Sequence, residues 1–486
     1  MPRMVAQPAA DARAALRAEA ERIASAPQAG VEEITRAGAT ALQLGMAREA
    51  DTLFGRALQL LGHFIARRDA QRALATEVAI YNTFVKAIED EGHYERCFAL
   101  WRDAMAGLGS AFAQPSPPAQ PDGDLLRVGF VFHTGIVLGH TEVLLRLLQR
   151  RDRSRVAPRV YAIFGHDAEF LARVEALDVP VETYAGGAEG PHDWLRRRMA
   201  ANGEATAVWV SAPPAALFMF GARVAPVQVF WSLKYHPIRA PQIDGYLTYG
   251  SWGEAERTFH GQRWIVCPVP LALDPRPADA SLVQALRARF PQRFLMGTLA
   301  REEKIDSRPF LESVVALLKR HPEAGYLWTG HARHAGIDAF FRAQGVAERC
   351  HFVGWVDTPL YAAALDLFLE TFPLGCGVTG YQALGAGRPL VSYLEPNTIF
   401  GMQYWSELAG GAAPTREKLD QYPVLAARDP REYVELASRL VTDPDFREHW
   451  RGRGQRFHDE EVAGIERYSK RFFDTIAAIR PSGQPS

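Results

Sequence analysis

One stretch constrains this chain more than any other: Leu365-Asp-Leu-Phe-Leu-Glu-Thr-Phe-Pro-Leu-Gly-Cys-Gly-Val-Thr-Gly380, continuing through Tyr381-Gln-Ala-Leu-Gly-Ala-Gly-Arg-Pro-Leu-Val-Ser-Tyr393. Leu365, Leu367 and Leu369 alternate as in a short buried strand, and Gly375, Gly377 and Gly380 interrupt it. Residues 378–386 can form one helix before Pro389 restarts an extended segment. In such a strand, glycine-rich loop and helix, little side-chain bulk hides the backbone N–H groups. Those donors and the positive end of the helix dipole can hold a phosphate or pyrophosphate, and Thr379 adds a hydroxyl. The expected ligand is a nucleotide.

Composition removes several alternatives. With 486 residues, 48% of them hydrophobic and 10% aromatic, the chain has room for about three globular domains. Lys plus Arg (55) nearly balance Asp plus Glu (56), so there is no general field to attract a polyanion, and nucleic acid is not an expected partner. Cys97, Cys267, Cys350 and Cys376 lie far apart, with neither a zinc spacing nor a disulfide framework, so no metal site is expected and a reducing cytoplasm fits. Residues 1–28 are rich in Ala with interspersed Arg and Glu and lack the apolar core of a signal peptide. The most apolar window, 212–231, contains Arg223 and three prolines, which argues against stable membrane insertion. A cytoplasmic protein is the expectation.

Periodicity divides the chain into five parts. Residues 1–113 read as an all-helical domain of five or six helices. Within it, 45–57 and 92–104 align faintly with each other, like the second half of a tetratricopeptide hairpin. Residues 114–124 form a Pro-rich linker. From 125 to 278, strands at 126–132, 156–164, 181–184, 207–210, 227–231 and 245–248 alternate with helices or loops, as in a parallel Rossmann-like sheet. From 279 to 460 the alternation repeats, with strands at 294–298, 325–329 and 350–353 and helices at 309–321 and 335–344, ahead of the glycine-rich loop. Residues 461–486 end a helical tail expected to pack back on the first Rossmann-like domain.

In two doubly wound domains the loops at the carboxyl ends of the strands bind ligands. Lys304 follows a strand and precedes a helix, where an ammonium can neutralise a departing diphosphate; taken alone it reads first as an ordinary surface lysine paired with Glu303 or Asp306. Gly330 and His331, at the next strand end, can line a base or ribose pocket. His133 and His140 lie in the first strand-to-helix loop, where an imidazole can act as base or contact phosphate, or His140 can merely cap its helix with Thr141. Lys234, Tyr235 and His236 end another strand.

The order and flanks of these segments resemble the catalytic region of the O-GlcNAc transferase family and the related bacterial cytoplasmic protein N-glucosyltransferases. The likeness runs over about 125–479. Its carriers are the first loop ending Gly139-His140, the Ala225-Pro-Val-Gln-Val phrase with its His-Pro loop, Ile243-Asp-Gly-Tyr, Lys304-Ile-Asp306 and the Val378-Thr-Gly380 helix start. The resemblance implies a GT-B fold of two Rossmann-like domains preceded by an all-helical, tetratricopeptide-like domain. It also implies an inverting, metal-independent transfer of a hexose or N-acetylhexosamine from a UDP-sugar, the donor substrate and not a cofactor, to Asn or Ser/Thr of an acceptor protein. Lys304 then contacts the diphosphate, Gly377, Val378, Thr379 and Gly380 hold it from the helix start, and His140 lies on the acceptor side. The chain departs from the family where Arg301 replaces a Gln near the lysine, where Gln382 replaces the acidic residue that holds the ribose, and where one threonine replaces two hydroxyl residues. Gln382 and the single threonine keep open a catalytically weakened relative serving as a helical binding module; a transferase for a glycan or lipid-linked acceptor is the alternative within enzymes.

Overall fold

The computed structural model describes residues 10–86, 91–114, 125–187, 189–233, 236, 238–259, 261–272, 278–395, 398, 401 and 414–481. The expected linker falls outside them except for its first residue, as do Lys234 and Tyr235. The chain forms two compact units, one of residues 8–269 with 466–486 and one centred on 270–465.

The first unit opens with helices Ala10–Ser25, Val31–Gln43, Ala47–Ala66, Ala70–Ile80, Glu91–Ala99 and Arg102–Ser110. Alanine-rich sequence favours them. In Ala47–Ala66 the buried residues Ala50, Leu53, Ala57 and Leu61 form one stripe at helical spacing. The two segments that align in sequence adopt different structures. Residues 47–57 run within one continuous helix, whereas 92–104 cross the break between two helices at Leu100 and Trp101.

Eight strands follow: β1 (Leu126–Phe132), β2 (Val156–Ala162), β3 (Val181–Thr183), β4 (Thr206–Val210), β5 (Val227–Ser232), β6 (Gly245–Thr248), β7 (Glu256–Phe259) and β8 (Gln262–Val266). Their spatial order is β3-β2-β1-β4-β5-β6-β8-β7, parallel throughout except for the β7–β8 hairpin. The first six have the doubly wound order, with its reversal between β1 and β4. β4 and β5 are buried along their whole length, which is why they read as largely apolar runs and not as alternations with solvent-facing residues, Gln228 being a buried polar exception. The helical segment reaches this sheet through Arg102–Ser110, which lies against helix Ala216–Gly221. A Cβ on Gly109 would stand 2.1 Å from the Phe218 carbonyl oxygen, and one on Gly221 would stand 2.2 Å from that of Ala106, so only glycine lets the backbones approach so closely. Helix Ile465–Ala478 also lies on this sheet: Phe472 packs on Trp231 with ring centroids 4.9 Å apart, and Ser469 donates to Leu147 O (2.9 Å).

The second unit is a six-stranded sheet of β9 (Phe294–Thr298), β10 (Ala324–Trp328), β11 (Cys350–Phe352), β12 (Leu367–Leu369), β13 (Leu390–Tyr393) and β14 (Leu425–Ala427). Its order, β11-β10-β9-β12-β13-β14, is parallel at every pairing. It repeats the doubly wound order, and the reversal lies between β9 and β12.

Candidate functional site

The two segments singled out in the second unit meet at that reversal. Lys304, in the short helix Glu302–Ile305 after β9, donates from Nζ to Gly375 O in the loop after β12. Thr379 Oγ1 donates in the other direction, to Leu299 O at 2.6 Å. Three further bonds lace the strand exits together: Thr298 Oγ1 to Leu369 O (2.8 Å), Ala300 N–H to Thr329 Oγ1 (2.8 Å), and His331 N–H to Glu302 Oε2 (2.8 Å). Gly377 precedes helix Val378–Gly385 with φ +72° and ψ −135°, a conformation open to glycine and costly for other residues. No side chain caps that helix, and Gly380 N–H closes its first turn onto Gly377 O (3.1 Å). The N–H groups of Val378 and Thr379 are left for an incoming anion.

Positive charge gathers at the same place. Among the described residues neither Arg301 nor Lys304 forms an ion pair. Burial pushes the Lys304 ammonium below the ordinary lysine range and Arg301 adds to this, while Cys376, Glu370 and Glu303 pull it back. Such an arrangement can accept an anion. Cys376, buried in the glycine-rich loop, is a thiol pushed up to about 11 by burial. Gln382 is partly buried, and its Oε1 is enclosed without a hydrogen-bond donor. His331 stacks on Trp355, with ring centroids 4.1 Å apart and planes at 12°, and Trp355 is 58% exposed. Gly330 leaves room for the Glu302 carboxylate that holds His331, since a Cβ there would stand 2.8 Å from Oε2. Sequence reasoning passed over Trp355 and Glu302; the one available signal was a tryptophan directly after the Gly354 turn.

In the first unit His140 begins helix Gly139–Gln149. Its Nε2 accepts the Leu233 N–H (2.9 Å) and lies 3.4 Å from Ser232 Oγ, and Ser232 Oγ is 2.8 Å from His236 Nδ1. The β1 and β5 exits are therefore joined by a His140–Ser232–His236 chain. An Nε2 that accepts an N–H carries no proton itself, so His140 is held as the Nδ1–H tautomer. His133 packs against Phe164 with the rings tilted (4.8 Å), and burial pushes it down to about 4, so it stays neutral.

No protein-family model matches the sequence, and neither does any curated protein. Solved structures do resemble it in fold. An O-GlcNAc transferase point mutant from Thermobaculum terrenum superposes with a TM-score of 0.58 over 96% of this chain and 93% of that one, at 18% identity. Anabaena HepE, solved with UDP and glucose, gives 0.53 over 73% of this chain and all of its own, at 13% identity. A glycosyltransferase from Rickettsia africae gives 0.53 at 8% identity, with the same coverage. The chain thus has the GT-B fold of two Rossmann-like domains, preceded here by helices. Among the described residues no helix is long and apolar enough to cross a membrane.

Proposed function

We propose that this chain is an inverting glycosyltransferase that binds a UDP-sugar in its second unit and transfers the hexose or N-acetylhexosamine to an Asn or Ser/Thr side chain of a protein. The observation that carries this reading is the β9/β12 reversal, where an ammonium and an uncapped helix start lie on adjoining loops tied to each other. Lys304 and Arg301 neutralise the diphosphate, and the Val378 and Thr379 N–H groups bind it. Thr379 works through its backbone, because its hydroxyl proton already goes to Leu299. Gln382 Oε1 accepts a ribose hydroxyl. Gly330, His331 and Trp355 receive the base, which stacks on the exposed tryptophan. As the acceptor oxygen or nitrogen bonds to the anomeric carbon and its proton leaves to solvent, the bond from that carbon to the diphosphate breaks, its electron pair stays on the diphosphate oxygen, and Lys304 and the helix start neutralise the charge that develops there. His140 stands on the acceptor side. The reaction takes place in the cytoplasm without a metal ion. The UDP-bearing HepE structures and the O-GlcNAc transferase likeness support the donor class.

A weakened relative that keeps the nucleotide site without turnover is the second reading. It is favoured by His140 Nε2 and the Thr379 hydroxyl both being engaged within the protein. Thermal melts with UDP and a panel of UDP-sugars, with and without divalent cation, test both. A metal-independent shift with one UDP-sugar, together with release of UDP when acceptor is added, supports transfer. A shift without release supports the second reading, and no shift with any nucleotide defeats both.

A further inference from the structure

The helical segment is wired into the exit loops of the first sheet. Glu77, in helix Ala70–Ile80, is fully buried. One carboxylate oxygen accepts from Trp101 Nε1 (3.2 Å) and the other from the Ala215 N–H (3.1 Å). Ala215 closes the loop that leaves β4, and both ends of that loop are left-handed without glycine, at φ +78° for Ser211 and +67° for Ala215. Residues with a Cβ keep that conformation only where their surroundings hold them in it. At the Ser211 end the hold is its N–H on Trp231 O (2.9 Å). At the Ala215 end it is Glu77. The loop sits at the strand-order reversal, because Val210 is in register with Phe132 of β1 and Trp231 of β5. A second tie reaches the β5 exit: the Tyr94 ring meets His236 edge-on at 6.1 Å, and Glu95 pairs with Arg239 at 3.0 Å. His236 is the far end of the chain that leads through Ser232 to His140.

We propose that Glu77 is a positioning residue for the site on the first sheet: by joining Trp101 to Ala215, it makes the helical segment set the shape of the β4 exit loop. The helices are thus a wall of the acceptor side, not a tether beside it. This rests on the reading of that sheet as the acceptor side. The chemistry requires a carboxyl group, because two N–H donors converge and its two oxygens offer one to each. Glutamine satisfies one donor and turns its own NH2 toward the other, and leucine satisfies neither.

The test is hydrogen exchange of the full chain in wild type, Glu77→Gln and Glu77→Leu, read in peptides covering 206–222. Loss of the Glu77 oxygen leaves the Ala215 N–H buried without a partner and should speed exchange at 215–221 about tenfold or more, with Leu worse than Gln and β1 and β2 unchanged. If the Leu variant does not fold, the Gln variant carries the test. In turnover assays the acceptor KM should rise in the same order while UDP affinity stays at the wild-type value, a split that general loosening of the fold would not produce. Exchange unchanged at 215–221, or raised evenly across the first unit, overturns the proposal even where wild type binds UDP. Local exchange that responds in a protein showing no nucleotide shift leaves Glu77 as the holder of the loop and defeats the glycosyltransferase reading alone.

Discussion

Replacing Lys304 by alanine should leave the empty protein about as stable as before and remove its nucleotide affinity. Burial depresses the Lys304 pKa, so the charged form of the side chain carries a desolvation cost in the fold. The variant escapes that cost and loses the bond to Gly375 O, itself on the order of 1.5–3 kcal/mol for a charged donor. The two effects oppose each other, and a residual of about 1 kcal/mol moves the melting temperature of a domain this size by roughly 2–4 °C. With UDP bound the balance is one-sided. A cation about 4 Å from a diphosphate charge contributes about 4 kcal/mol at an effective dielectric of about 20, in line with the roughly 10²–10³-fold loss on removing an oxyanion donor. UDP affinity should fall by about that factor, measured by calorimetric titration beside melts with and without ligand. The pH dependence carries a second mark. Because the folded state binds fewer protons here than the unfolded state does, wild-type stability rises with pH between the depressed folded pKa and the ordinary lysine value, and the variant lacks that rise. UDP affinity within threefold of wild type would refute the leaving-group role, and a fall of more than about 10 °C in the empty protein would make Lys304 a strut.

The remaining expectations are narrower. Burial raises Glu77 from 4.5 to about 7, so its contribution to stability is full below pH 4.5 and is lost as pH rises to about 7. The span is worth about 3 kcal/mol, and Glu77→Gln should flatten it in urea melts at pH 5 and pH 8; an unchanged slope contradicts the raised value. Gly377→Ala forces a side chain into φ +72°, at about 1–3 kcal/mol, and should weaken UDP binding while lowering the melting temperature by about 2–10 °C. A variant that melts and binds like wild type would show that the left-handed turn is not needed. His140→Ala frees the Leu233 N–H and should lower the transfer rate about tenfold or more with UDP affinity intact, whereas unchanged kinetics would place His140 in the fold and not in the site.

What could be read from sequence was what repeats or runs. β1, β4, β5, β9 and β10 are buried parallel strands, so each left an apolar run, and helix breakers marked the loops between them. The β7–β8 hairpin was missed because Glu256–Phe259 and Gln262–Val266 carry charged or polar residues on an exposed face, and β14 because three residues hold no period. At the site, Lys304 and the Val378 helix start were legible from their places after strands. Trp355 was not, since one exposed aromatic gives no pattern. Glu77 was hidden more deeply: a glutamate in an alanine-rich helix looks like a solvated face, and Ala215, whose N–H it accepts, lies 138 positions away.

Three polar groups of the candidate site have partners within the protein. Lys304 holds Gly375, Thr379 holds Leu299, and His140 holds Leu233. Such bonds keep partly buried donors satisfied and the loops in register, but a diphosphate must compete with the Gly375 carbonyl for Lys304. It competes well, because it offers the ammonium a negative charge where the carbonyl offers a dipole. The Thr379 bond faces no such competitor, since a hydroxyl donating to a backbone oxygen at 2.6 Å can remain while its own N–H turns to the phosphate. Donor binding should therefore release one strut between the β9 and β12 exits and keep the other, so that the loop after β12 shifts at Gly375 and stays fixed at Thr379. Hydrogen exchange should then find the 374–377 amides changed by UDP and the amides of 298–300, on the strand exit that Thr379 holds, unchanged. A helix start that moved as a whole would mean that Thr379 does not anchor it.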